Sequence, residues 1–177
     1  GTSSTLSDFD DLAGKVRDVP GVVDVSPLIE IQVMATARSV ARGAVVRGIR
    51  PADLARRAIV ADNIQTGALA DFKGKDAVVV GLRLAERLGI GVGGMITLIS
   101  PKGNITAFGT VPRMRAYRVA ATFKVGMYEY DSTFVFMPLD AAQVYFRMPG
   151  AVTNLEVMVE KASRAPSVGR AIAGAIA

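Results

Sequence analysis

Apolar and polar positions alternate most regularly between Arg115 and Val125. Tyr117, Val119, Ala121, Phe123 and Val125 fall on one face, and Arg118, Thr122 and Lys124 on the other. A period of two predicts a half-buried strand. Met95–Ile99 predicts a strand before it. Upstream, Phe9, Leu12, Val16 and Val19 form one helical stripe, so Ser7–Val19 is expected to be a helix, capped by Ser7 and ended by Pro20-Gly21. Asp8, Asp10 and Asp11 suit its positive end, and Lys15 and Arg17 its negative end. Gly21–Met34 reads as a strand with a bend or edge at Pro27, Thr36–Ala41 as a turn and Gly43–Ile49 as a second strand. Pro51–Arg57 predicts a short helix and Ala58–Gly74 an irregular stretch. Asp76–Val80 is an unbroken apolar run, hence a buried strand, followed by a helix over Leu82–Leu88 that Gly89 would end in the left-handed conformation. Thr133–Met137 predicts a strand and Leu139–Met148 a helix with Leu139, Ala142 and Phe146 inward. Val152–Val159 is a further strand, and the tail is helical.

Strands and helices without strict alternation argue an α+β fold. The helix–strand start and the strand–helix finish are expected to pair, with the middle inserted between them. The 177 residues suit one domain or two small subdomains sharing a core. No apolar run approaches the roughly 20 residues that span a bilayer. The chain does not begin with Met and stops in a predicted helix, so a fragment of a longer protein is expected.

Chemistry narrows the field. There is no Cys and no His, which excludes disulfides, thiolate or imidazole zinc sites, and Ser–His or Cys–His nucleophiles. The net charge is +5, with Arg38, Arg42, Arg47, Arg50, Arg56 and Arg57 gathered in one stretch. No aromatic is interleaved there to stack bases, so a solvated face is expected rather than a nucleic-acid site. Gly89–Gly94, GIGVGG, follows a helix instead of preceding one, so it does not build a phosphate loop, and no nucleotide or other cofactor is expected. Glu129 and Asp131 in GMYEYD are two apart, and in a strand they would share a face, as a carboxylate-dependent enzyme requires; the alternative is a polar turn pinned by Tyr128 and Tyr130.

Pro101–Pro112, PKGNITAFGTVP, carries the most weight. The prolines are expected to stop the flanking strands from pairing further, and Lys102-Gly103-Asn104 and Phe108-Gly109 are turn material. Ile105, Phe108 and Val111 are apolar where solvent is expected. Two readings stand: a projecting hairpin that docks a partner, or a long hairpin with its aromatic tucked back onto the sheet.

GVVDVSP (Gly21–Pro27), ATARSVARGAVVRGI (Ala35–Ile49), VVVGLRLAERLGIGVGGMITLISPKGN (Val78–Asn104), VPRMRAYRVAATFKVGMYEYD (Val111–Asp131) and MPLDAAQVYF (Met137–Phe146) together resemble the periplasmic domain of the LolC/LolE permeases of lipoprotein-releasing ABC transporters. The resemblance implies an α+β MacB-like periplasmic core with an inserted smaller β-rich subdomain and a protruding β-hairpin. It implies one periplasmic domain over residues 1–177, with core segments 1–57 and 132–177 and an insert over 58–131. It implies no catalysis in this domain, with ATP hydrolysis on a separate cytoplasmic subunit, LolD. The other implied partners are the soluble lipoprotein carrier LolA, a paralogous or identical permease subunit, and lipoprotein substrates, at the inner membrane. The family's carrier-binding hook carries over onto Pro101, Lys102, Asn104, Ile105, Phe108, Gly109, Val111 and Pro112. Its base carries over onto Thr97, Met114 and Arg115. Arg115 keeps the family's basic character there, whereas Thr97 and Met114 depart from it. A MacB-type exporter or a cell-division permease of similar fold, expected to lack the hook, is the alternative.

Overall fold

The computed structural model describes residues 6–160 and 165–176, apart from the side chains of Lys102, Asn104 and Ile105. In order, the elements are α1 (Phe9–Arg17), β1 (Val22–Ala37), β2 (Val40–Ile49), α2 (Pro51–Ala55), α3 (Ala58–Ala61), β3 (Ile64–Gly67), β4 (Ala77–Gly81), α4 (Leu82–Leu88), β5 (Met95–Thr106), β6 (Gly109–Phe123), α5 (Tyr128–Thr133), β7 (Phe134–Pro138), α6 (Leu139–Tyr145), β8 (Asn154–Val159) and α7 (Ala165–Ile176). The fold is α+β. Two compact units divide the chain: residues 1–28 with 149–177, and residues 29–148.

In the first unit the two chain ends do pair. Val22–Leu28 of β1 runs antiparallel to β8, with Val25 opposite Val157 and Leu28 opposite Asn154. Ala13 and Val16 of α1 bury against Val25, and Val22, Leu155, Val157 and Ile172 of α7 close around them. The helix starts at Phe9, one turn position later than expected, and its N-cap is Asp8 with no side-chain cap bond, not Ser7. Asp10 and Asp11 occupy its first turn and Lys15 and Arg17 its last, as the macrodipole favours.

In the second unit the strands lie in the order β2-β7-β4-β6-β5 and then the later part of β1. β2 pairs with β7 in parallel, and β4 with β6 in parallel, while β4–β7, β5–β6 and β1–β5 are antiparallel. The all-apolar AVVV run of β4 lies between β7 and β6 and is wholly buried. That is the site such a run needs, since both of its faces are covered. Gly89 ends α4 with φ +68°, as expected. Ala58–Gly74 is more ordered than expected: it holds α3, β3 and a single 3-10 turn over Leu69–Asp71. β3 forms because its backbone pairs with Ala121–Phe123 of β6, a tertiary contact that local sequence does not announce.

The β1–β2 connection is a two-residue turn with Arg38 and Ser39 both at positive φ, 49° and 66°. Neither residue favours that region, whereas Asn-Gly does. Replacing the pair (Arg38→Asn with Ser39→Gly) is expected to raise stability by about 1 kcal/mol, measured by urea denaturation.

Candidate functional site

β5 and β6 form a long hairpin. Below it, Met34–Thr36 of β1 pairs with Thr97–Ile99, so the base is three-stranded. Above Ser100 and Arg113, β5 and β6 pair only with each other among the described residues. Every described side chain from Thr106 to Pro112 is exposed, and Phe108 at the turn is fully so. Thr106 Oγ1 closes the turn: it accepts from the Phe108 N–H at 3.2 Å and donates to the Gly109 carbonyl at 2.8 Å.

The prolines do not end the pairing, contrary to the expectation. Ser100 pairs with Arg113, and the ladder resumes at Asn104–Val111, Ile105–Thr110 and Thr106–Gly109. Between these registers Pro101, Lys102 and Gly103 stand opposite Pro112 alone. This bulge falls where two residues lack an N–H to contribute, which is where a ladder is most cheaply interrupted. Gly103 is required there: a Cβ built on it would overlap the Val111 carbonyl across the hairpin.

The expected hook residues are therefore distributed as follows. Pro101 and Pro112 sit at the bulge, Phe108 and Gly109 at the turn, and Val111 between, half exposed. Lys102, Asn104 and Ile105 have their backbone in β5, and their side chains lie outside the described residues. The base residues are not brought together on one face. Ile99 is opposite Met114, Leu98 opposite Arg115 and Thr97 opposite Ala116. Cross-strand partners share a face and neighbours alternate. Thr97 and Met114 thus lie on the outer face, and Arg115 on the inner one. There Arg115 pairs with Asp76 at 2.8 Å, its guanidinium 5.3 Å from the Tyr117 ring centroid.

The outer face carries an apolar row that the sequence reading missed. Met34, Ile99 and Met114 are cross-strand neighbours, with Met34 42% and Met114 65% exposed. Beside them a cavity of about 400 Å³ is lined by Gln32, Val33, Met34, Ile99, Pro101 and Pro112. Registers between distant strands create this row, and no local pattern marks it.

Tyr145 of α6 holds the base from the inner side. Its hydroxyl lies within hydrogen-bonding reach of the Leu98 carbonyl at 2.9 Å and of the Arg113 carbonyl at 3.1 Å, one on each strand of the hairpin. Arg113 donates in return to the Tyr145 carbonyl at 3.3 Å, and the Tyr145 ring meets Tyr117 edge-on at 5.9 Å. Burial pushes the Tyr145 hydroxyl up from its ordinary 10.0 to about 12, with the Ser100 backbone and the Arg113 charge pulling against it. Tyr117 is raised further, also by burial. The folded state thus prefers the neutral phenol. Its stabilisation is complete below pH 10 and is lost as pH rises from about 10 to about 12. Tyr145→Phe is expected to lower stability by about 1–2 kcal/mol at neutral pH and to show a smaller alkaline loss than the parent, as followed by denaturation curves at stepped pH.

The carboxylate pair is corrected by the structure. GMYEYD does not extend as a strand or a plain turn: Tyr128–Thr133 is helix α5, in which positions two apart do not share a face. Glu129 is exposed, whereas Asp131 is fully buried and accepts the Val125 and Gly126 N–H groups at 2.8 and 3.0 Å. Asp131 is a structural staple. Among the described residues no group of three or more metal-ligating side chains occurs.

The arginines are not a uniform solvated face either. Arg47 pairs with Glu30 at 3.1 Å and lies over the Phe134 ring at 4.4 Å, Arg56 pairs with Asp53, and Arg57 is buried.

A family model for the MacB-like periplasmic core domain matches residues 1–175. The chain belongs to the MacB-like periplasmic core domain family. This MacB-like domain is similar to the lipoprotein-releasing system transmembrane protein LolC of Neisseria meningitidis serogroup B (strain ATCC BAA-335 / MC58), 28% identical over 166 residues, covering 93% of the chain and 40% of that protein. It is also similar to LolC of Xylella fastidiosa (strain 9a5c), 28% identical over 155 residues, covering 87% and 37%. The chain spans about two-fifths of the length of these curated relatives. Among solved structures, the extracellular domain of the noncanonic ABC-type transporter YknZ from Gram-positive bacteria superposes with a TM-score of 0.63 at 18% identity, over 98% of this chain and 83% of that one. The periplasmic region of MacB from Actinobacillus actinomycetemcomitans superposes at 0.59 and 11% identity, over 94% and 72%. These two establish fold. The relatives and the family model together bear out the LolC-family periplasmic domain and the MacB-like α+β core. Among the described residues no helix is long and apolar enough to cross a membrane.

Proposed function

We propose that this domain is the periplasmic part of a LolC-like permease that releases lipoproteins from the inner membrane, and that the β5–β6 hairpin docks a soluble lipoprotein carrier of the LolA kind. Catalysis has no place in this reading. ATP hydrolysis belongs to a separate cytoplasmic subunit of the LolD kind, and a second permease subunit, paralogous or identical, completes the assembly. The observation that carries the docking role is the fully exposed Phe108 at the end of a two-stranded arm whose described side chains all face solvent from Thr106 to Pro112. An exposed aromatic on a stiff support is an anchor without a pocket, and a carrier of acyl chains offers an apolar one. The backbone edges of the arm supply further donors and acceptors for a strand of the carrier. A MacB-type exporter lacking carrier docking would instead keep this segment flat on the body.

Titration of the intact chain with its cognate carrier by calorimetry tests the proposal. Binding in the micromolar range (about −8 kcal/mol) is expected, and none after deletion of Lys102–Thr110. Equal binding by the deleted form, with an unchanged melting temperature, would reject the hairpin as the docking element.

A further inference from the structure

The root of the β5–β6 arm is braced unequally. On the inner side, α6 presents the buried Tyr145, whose single hydroxyl proton faces acceptors on both strands: the Leu98 carbonyl at 2.9 Å and the Arg113 carbonyl at 3.1 Å. Arg113 returns a bond from its guanidinium to the Tyr145 carbonyl, so side chain and backbone of Tyr145 are both tied to the arm. α6 is itself firmly seated. It follows β7 directly, and β7 is paired on both edges, with β2 and β4. A Cβ on Gly48 of β2 would overlap the Ala142 Cβ of α6, which marks how closely that helix approaches the sheet. On the outer side, β1 accompanies β5 only as far as the Met34–Ile99 pair. Beyond it Gln32 and Val33 line the cavity of about 400 Å³ with Pro101 and Pro112 rather than extend the ladder. A cavity supplies no packing contact to resist a tilt.

Past the bulge the two strands pair only with each other among the described residues, so the direction of the arm is decided at its root. Phe108 lies about 16 Å beyond Arg113 at roughly 3.3 Å per residue, and a tilt of about 20° at the root carries its ring about 6 Å. We propose that Tyr145 is a positioning residue: by tying both strands of the hairpin to α6, it fixes the angle at which the arm leaves the sheet. The consequence for docking rests on the reading of the arm as the carrier-binding element. Only molecules that hold the docking angle bind, and the remainder lower the apparent affinity in proportion. The neighbouring ring supplies a control. Tyr117 is also buried and meets Tyr145 edge-on, yet its hydroxyl has no hydrogen-bond partner among the described residues.

The test uses the 177-residue chain, whose lack of Cys lets two spin labels be placed without competition. Thr110→Cys labels the arm and Glu86→Cys labels α4, and both positions are exposed. Pulsed electron-resonance distances between them are compared in the parent, in Tyr145→Phe and in Tyr117→Phe, well below the melting temperature of each. The parent is expected to give one narrow distribution, Tyr145→Phe a distribution about twice as wide, and Tyr117→Phe the parent's. Calorimetry with the cognate carrier, on the unlabelled forms, is expected to show about tenfold weaker binding for Tyr145→Phe, as when about one molecule in ten holds the docking angle. An unchanged width in Tyr145→Phe would overturn the proposal, and so would equal broadening in both phenylalanine forms, which would reveal general loosening of the core. Broadening with undiminished carrier binding would overturn the link between angle and docking. A parent that ignores the carrier, with broadening confined to Tyr145→Phe, would uphold the positioning role and reject the docking reading instead.

Discussion

Replacing Asp131 by Ala is expected to destabilise the domain by about 3–5 kcal/mol, the largest effect of any single polar substitution considered. The carboxylate is fully buried and accepts the Val125 and Gly126 N–H groups. Each hydrogen bond to a charged group contributes about 1.5–3 kcal/mol, and truncation leaves two backbone donors without their acceptor. Asp131→Asn keeps one acceptor oxygen, so about half the loss is expected. Chemical denaturation monitored by circular dichroism measures both, and the melting temperature should fall by about 6–20 °C for the alanine form. A loss below about 1 kcal/mol would show that water replaces the carboxylate at these amides. Glu129→Ala is the internal control: that side chain is exposed, and little change is expected.

The second large effect concerns association, not folding. Phe108→Ala is expected to weaken carrier binding by about 30-fold, or about 2 kcal/mol, with the melting temperature unchanged. The ring is fully exposed in the free domain, so the folded state loses nothing by its removal. Its value is realised only when a partner covers it. Met114→Ala on the outer face at the hairpin base is a useful comparison. A smaller loss is expected there, because contacts away from a central anchor contribute little individually. If Phe108→Ala binds as the parent does, the anchor lies elsewhere on the arm.

Local chemistry made much of this fold legible in advance. The Val78–Val80 run had to be a covered strand, and the Leu82–Leu88 stripe closed by Gly89 had to be a short helix. The pairing of the chain ends followed from their matching element types. What escaped notice depends on partners far along the chain. α5 has too few residues for a readable period, and its place is set by Asp131 reaching back to Val125 and Gly126. β3 exists through β6. The role of Tyr145 was hidden because a tyrosine on the inner side of an amphipathic helix reads as core, and only the strand register puts the Leu98 and Arg113 carbonyls within its reach. The hairpin itself was legible from its glycines and apolar tip, but its bulge was not. Two prolines read as a stop, and the structure makes them a joint.

That joint has an arithmetical property. Three residues opposite one displace the register by two, an even number, so every side chain beyond it keeps the sidedness it would have had in an uninterrupted ladder. Removing one residue between Ser100 and Asn104 would leave two residues opposite Pro112, an odd displacement that puts the alternation of β5 beyond the bulge out of step with that of β6.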